Sequence, residues 1–99
     1  MALVKQYGGN IHAKSDGTAT KTVTWNSPDG KPRNVVAEVV LNHVHDYGEA
    51  SITKMVSSQS GTETEKTAIR YREGVTQVDF TLMVSESGAS ARWMVHEFA

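Results

Sequence analysis

The chain has 99 residues, the length of one small domain, and its 10 Lys plus Arg against 11 Asp plus Glu leave a formal net charge of −1. That balance excludes the basic surface that phosphate-backbone binding requires, so we expect no nucleic-acid partner. No stretch approaches the roughly 20 apolar residues of a membrane span, and the absence of cysteine excludes disulfides and zinc–thiolate sites.

At the start of the chain, Met1 to Gln6 lack the charged segment and apolar stretch of a secretory signal. We therefore expect no signal peptide, no membrane partner, and a cytoplasmic or virion location.

Residue types along the whole chain favour β-strands. Valine occurs twelve times and threonine ten times, and their branched Cβ atoms suit a pleated strand better than a helix. Most glycines follow a polar residue and recur at a spacing that suits a run of hairpins, so these pairs predict turns. They are Asp16-Gly17, Asp29-Gly30, Tyr47-Gly48, Ser60-Gly61, Glu73-Gly74 and Ser87-Gly88. The pattern predicts one all-β domain over residues 1–99, an antiparallel meander of about seven or eight short strands in a sandwich or small barrel.

The first two turns predict two hairpins with a common buried face. A loop at 15–17 with glycine last pairs the first strand with the second and places Tyr7 opposite Trp25. A loop at 28–30 places Val23 opposite Val35. Because a slip of one residue would invert every side chain, this agreement supports the register.

The segment 35–47 has a second interpretation. Its valines also fit a helical stripe, with Asn34 as N-cap and Gly48 just past the end, which would make the domain α+β. We favour the strand, since valine is a weak helix former.

The C-terminal third predicts two more hairpins. A two-residue turn at 73–74 pairs Ile69 with Val78, and one at 87–88 pairs Leu82 with Trp93. All four side chains are expected to face the core.

Apolar residues also occur on the face that these registers turn away from the core. A strand that carries apolar residues on both of its faces is either central in the fold or covered by a partner. The sequence therefore predicts a homo-oligomer, and other protein partners are compatible with the same face. The predicted interface consists of outer-face residues of the third and last strands: Val36, Val40, Val44, Met94 and Phe98. The leading prediction is a non-catalytic structural or interaction domain without a cofactor, with the Val-, Thr-, Ser- and Gly-rich character of viral or phage particle proteins.

His43-Val44-His45, followed by Glu49, is the strongest candidate for chemistry. Two imidazoles on one side of a strand and a carboxylate on the next can ligate a divalent metal such as Zn, Fe, Mn or Ni. The spacing His-x-His-x-x-x-Glu resembles the first metal motif of the cupin family. That resemblance implies a small barrel, a metal-dependent enzyme and a further histidine ligand on a later strand, for which His96 is the candidate.

Aromatic residues offer a third possibility, a carbohydrate-binding module. Trp25 and Trp93 could stack on a sugar ring if exposed, but their parity matches that of core valines. We therefore interpret both tryptophans as core anchors.

Overall fold

The computed structural model describes six stretches of the chain: residues 2–13, 17–24, 31–44, 47–58, 61–84 and 88–99. They form seven strands: β1 (Leu3–Ala13), β2 (Gly17–Thr24), β3 (Arg33–Val44), β4 (Gly48–Ser57), β5 (Gly61–Glu63), β6 (Ile69–Val84) and β7 (Ala89–Phe98). The all-β class is confirmed. Residues 35–44 lie in β3, so the alternative of a helix near 35–47 is wrong over its described part. Nothing in these six stretches forms a helix that is long and apolar enough to cross a bilayer.

The seven strands form one antiparallel sheet that does not close into a barrel. Its order is β1-β7-β3-β6-β4-β5, and β2 also pairs with β6. The strands therefore do not follow a meander, because β1 pairs with β7 rather than with β2.

The pairings predicted from the turns are wrong. Val23 lies opposite Val78, and Tyr7 opposite Val95. Trp93 lies between Gly9 and Val39 rather than beside Leu82. Turn residues show where the chain reverses, but they do not specify which strand becomes the partner. The loops predicted at 15–17 and 28–30 lie largely outside the described residues.

β6 is the longest strand and connects two halves of the sheet. Its first part, up to Val75, pairs with β3, and the part from Val75 onward pairs with β4 and β2. The change occurs beside Gly74, whose φ of 65° is in the left-handed region that favours glycine. Its N–H donates to Asn34 Oδ1 at 3.4 Å, and its carbonyl accepts from the Ser58 N–H at 3.1 Å. Gly74, for which the sequence predicted a hairpin turn, instead lies at an irregularity within one continuous strand.

We expect Gly74→Ala to lower the free energy of unfolding by about 1–2 kcal/mol, because a Cβ is disfavoured in the left-handed region. Gly74→Asn is the matched variant, and its cost should be smaller since asparagine tolerates that region. Urea denaturation of both variants measures the difference. Equal stability of the alanine variant and the unchanged protein would contradict this role for Gly74.

The single sheet folds over so that two layers face each other. We call β1, β7, β3 and the first part of β6 the first layer, and β2, β4, β5 and the rest of β6 the second layer. The Phe80 and Trp93 rings stack across the layers with centroids 5.6 Å apart. The buried apolar residues come from both layers: Ile11, Val35, Ala37, Val39, Ile52, Met55, Val75, Val78, Phe80, Leu82, Val84, Ala89, Ala91, Trp93 and Val95.

Ile69 is the exception to the predicted core. It was expected to face inward with Val78, yet 61% of its surface is exposed. Ile69 and Val78 are nine residues apart in one continuous strand, so alternation places Ile69 on the outside and Val78 on the inside, whereas a hairpin would have placed them on the same side.

Candidate interaction surface

On the side of the first layer that faces away from the core, the outward side chains of neighbouring strands lie next to one another. Val35, Ala37 and Val39 are buried, so Val36 and Val40, which alternate with them, point outward. The register aligns residues of neighbouring strands in rows that cross this layer from β1 to β6. We call this surface the outer face; it consists of Leu3, Gln6, Gly8, Asn10, Val36, Glu38, Val40, Ile69, Tyr71, Arg92, Met94, His96 and Phe98.

Large apolar side chains are exposed on this outer face. The exposed fractions are 59% for Val40, 61% for Ile69, 45% for Tyr71 and 51% for Leu3. Other apolar residues beside them are half-buried: Val36, Met94 and Phe98. Single exposed apolar residues are ordinary on protein surfaces, but a contiguous group on one sheet face indicates an interaction site.

The outward side of the second layer has a different character. Thr18, Thr20, Thr22 and Thr24 alternate along β2 and are exposed. In the neighbouring strands, the Thr53 and Thr81 hydroxyls are hydrogen-bonded at 2.9 Å. Although Met83 is exposed there, hydroxyls and other polar groups predominate. The apolar character is therefore concentrated on one of the two layers.

A depression lies over Gly8, where the outer face lacks a side chain. One part, about 190 Å³, is lined by Gln6, Tyr7, Gly8, Arg92, Met94 and His96. An adjoining part, about 370 Å³, is lined by Gly8, Gly9, Asn10, Asn42 and Arg92. The outer face thus has a hollow on the β1 side and protruding side chains, Ile69 and Tyr71, on the β6 side.

The polar groups on the outer face include the carboxylate of Glu38, which lies near one histidine, and the exposed guanidinium of Arg92. The Gln6 amide Nε2 lies 3.0 Å from His96 Nδ1, and His96 Nε2 is 3.8 Å from Glu38 Oε1. Arg92 is exposed and forms no ion pair with any residue in the described stretches.

Four of the five predicted interface residues share the outer face: Val36, Val40, Met94 and Phe98. Val44 does not. The pairing of β3 with β7 shifts between Leu41 and His43, and Val44 lies opposite Ala89 on the other side of the sheet. Its Cγ2 is 2.8 Å from the position that a Cβ on Gly48 would occupy, so Val44 packs at the start of β4.

The predicted metal ligands that the structure describes, His43, Glu49 and His96, do not form one group. His43 is exposed and lies opposite Ser90, whereas His96 is six residues further along β7, a separation of about 20 Å. Glu49 accepts a hydrogen bond from the Tyr47 hydroxyl at 3.0 Å, and this bond raises the pKa of that phenol. His45 lies outside the described residues.

The register shift after Leu41 also changes the predicted direction of His43. A cupin-like site requires His43 to follow Leu41 toward an interior, but its partner Ser90 is on the outward side of β7. Among the described residues, no three His, Asp or Glu side chains form a group suited to a metal ion. A metal on His43 and His45 stays a prediction.

Trp93 is a core residue, as its parity indicated. It is 8% exposed and stacks on Phe80, so it offers no ring to a sugar. Trp25 lies outside the described residues.

Sequence reasoning missed a buried charged group at one end of the first layer. Glu97 is completely buried, and its carboxylate accepts from Arg33 Nε at 3.1 Å and from the Tyr7 hydroxyl at 3.2 Å. Burial, followed by the charge and the hydrogen bond of Glu97, raises the pKa of Tyr7. The available signal was parity, because Glu97 alternates with Val95 and Trp93 on the inward side of β7.

Similarity between this chain and known proteins is weak. No family model and no curated protein matches the chain. The crystal structure of FLHE is similar, with 15% identity over 95% of each chain and a TM-score of 0.48. That level of similarity carries no argument about function. What the fold and the surface define is an open all-β antiparallel domain with one apolar outer face.

Proposed function

We propose that this protein is a non-catalytic β-domain that self-associates through the outer face of its first layer. The observation that carries the proposal is the apolar group formed by Val36, Tyr71 and Ile69, with Val40 and Met94 around Glu38 beside it. Covering such a group removes apolar surface from water, which is the main driving force of association.

The size of the outer face supports an interface between proteins. Four strands at the usual spacing are about 19 Å wide, and ten residues of strand are about 33 Å long, giving on the order of 600 Å². A standard stable interface buries about 800 Å² per partner. The face therefore supports reversible association, and side chains around its rim would bring the buried area closer to the standard value.

A component of a viral or phage particle is the cellular role that we propose. Such proteins work by repeated contacts between copies of a small domain, and their composition resembles the Val-, Thr-, Ser- and Gly-rich sequence of this chain. This part of the proposal rests on association between composition and role.

Sedimentation equilibrium over a wide concentration range tests the self-association. We expect Ile69→Glu to weaken it at least tenfold, because its carboxylate would be buried in the apolar group directly opposite the like charge of Glu38. Thr20→Glu is the matched control, since it places the same charge on an exposed strand of the second layer. That variant should associate like the unchanged protein.

Two results would contradict the proposal. One is an unchanged protein that stays monomeric at high micromolar concentration. The other is an Ile69→Glu variant that keeps its native circular dichroism and associates as strongly as Thr20→Glu.

A further inference from the structure

We infer that the partner on the outer face is a second copy of this chain, in a two-fold symmetric face-to-face dimer where Ile69 of each copy lies over the Gly8 depression of the other. This inference rests on the proposed function and adds the geometry of the contact. It follows from the strand order, the shape of the face and the placement of its charges.

The strand order defines the symmetry. Across the outer face the strands run β1, β7, β3 and β6, so the midline lies between β7 and β3. A two-fold axis along that midline exchanges β1 with β6 and β7 with β3. The register places Gly8, Met94, Glu38 and Ile69 in one row, so the axis sets Gly8 of one copy against Ile69 of the other.

The shape of the outer face matches this exchange. The β6 side carries Ile69, which is 61% exposed, and Tyr71, which is 45% exposed. The β1 side has the depression over Gly8, about 190 Å³ in its nearer part. Protruding side chains on one half of the face meet the hollow on the other half, and the symmetry makes this contact twice.

The charges also become complementary. The axis places Arg92 of one copy over Val40 of the other, two residues along the strand from Glu38 and across the roughly 10 Å between facing sheets, which the two long side chains together span. Arg92 has no carboxylate partner in the described residues of its own chain, and Glu38 has only His96 at 3.8 Å. The dimer therefore forms two symmetric Arg92–Glu38 pairs, which would fix its orientation.

Pairing through the free edge of β1 is the competing arrangement. Such a dimer would extend the sheet by backbone hydrogen bonds and would leave Val40, Ile69 and Tyr71 exposed. It makes no use of Arg92 or Glu38, so the charges distinguish the two arrangements.

A charge exchange tests the inferred geometry. Arg92→Glu and Glu38→Arg should each associate at least tenfold more weakly than the unchanged protein, because each places like charges together at both symmetric contacts. An equimolar mixture of the two variants should regain the dimer in sedimentation equilibrium, since both contacts between unlike copies are attractive again. If the unchanged protein dimerises but the mixture does not, the face-to-face geometry is wrong and the proposed self-association stands. If the unchanged protein stays monomeric, the proposed function itself fails.

Crosslinking supplies an independent measurement, because the chain has no cysteine of its own. Gly8→Cys and Ile69→Cys, mixed and treated with a thiol crosslinker of about 10 Å span, should join to each other, since facing sheets lie about 10 Å apart. Gly8→Cys alone should crosslink far less, because the two-fold axis separates the two copies of that position by roughly 17 Å. Preferential crosslinking of Gly8→Cys with itself would overturn the inferred axis.

Discussion

Replacing Glu97 with alanine is expected to lower the free energy of unfolding by about 3–5 kcal/mol. The carboxylate is completely buried, and the guanidinium that it pairs with is 14% exposed. Without the carboxylate, Arg33 keeps its charge in a poorly hydrated place and the Tyr7 hydroxyl loses an acceptor. Since a domain of this size is stable by about 5–15 kcal/mol, the change removes a large share of the total.

Two further variants separate the charge from the packing. Tyr7→Phe removes one hydrogen bond to a charged group and should cost about 1.5–3 kcal/mol. The double variant Arg33→Met with Glu97→Leu removes both charges and should be more stable than Glu97→Ala, because neither member of the pair is left buried without the other. Urea denaturation at neutral pH gives all three values. A Glu97→Ala variant within 1 kcal/mol of the unchanged protein would show that the buried carboxylate contributes little.

Gly9→Ala is expected to destabilise the fold by about 1–3 kcal/mol, the usual cost of overpacking a core. A Cβ at Gly9 would lie 2.9 Å from Cζ2 and from Nε1 of the Trp93 indole. The indole has little room to move away, because it stacks on Phe80 on the other layer. Gly9 therefore provides the space that allows the largest side chain of the first layer to lie flat in the core.

Gly8→Ala is the matched control for this prediction. The nearest atoms to a Cβ there are the Trp93 carbonyl oxygen at 3.4 Å and Met94 Cγ at 3.6 Å, which are ordinary contacts. Because alanine also lowers the entropy of the unfolded chain, Gly8→Ala should leave stability unchanged or raise it slightly. Chemical denaturation followed by tryptophan fluorescence would distinguish the variants, and equal effects of the two would contradict the proposed packing of Gly9 against the Trp93 indole.

Part of the candidate surface was predictable from the sequence. Val36, Val40, Met94 and Phe98 follow from alternation in strands whose other residues are plainly apolar core. Ile69 and Tyr71 were not predictable, because Gly74 was interpreted as a turn and the side of β6 before it was consequently inverted. The Gly8 depression depends on β1 pairing with β7, which no local signal indicates.

What the sequence by itself determined is the strand class and the inward or outward side of most residues. Both are local properties: branched Cβ atoms favour extended backbone, and side chains alternate every second residue. The tertiary structure alone decided which strands pair, where β6 passes from one layer to the other, and to which side Val44 points after the register shift. These features depend on contacts between residues far apart in the chain, and glycine permits a hairpin turn and an irregular strand equally well. The packing of distant strands selected between those two uses.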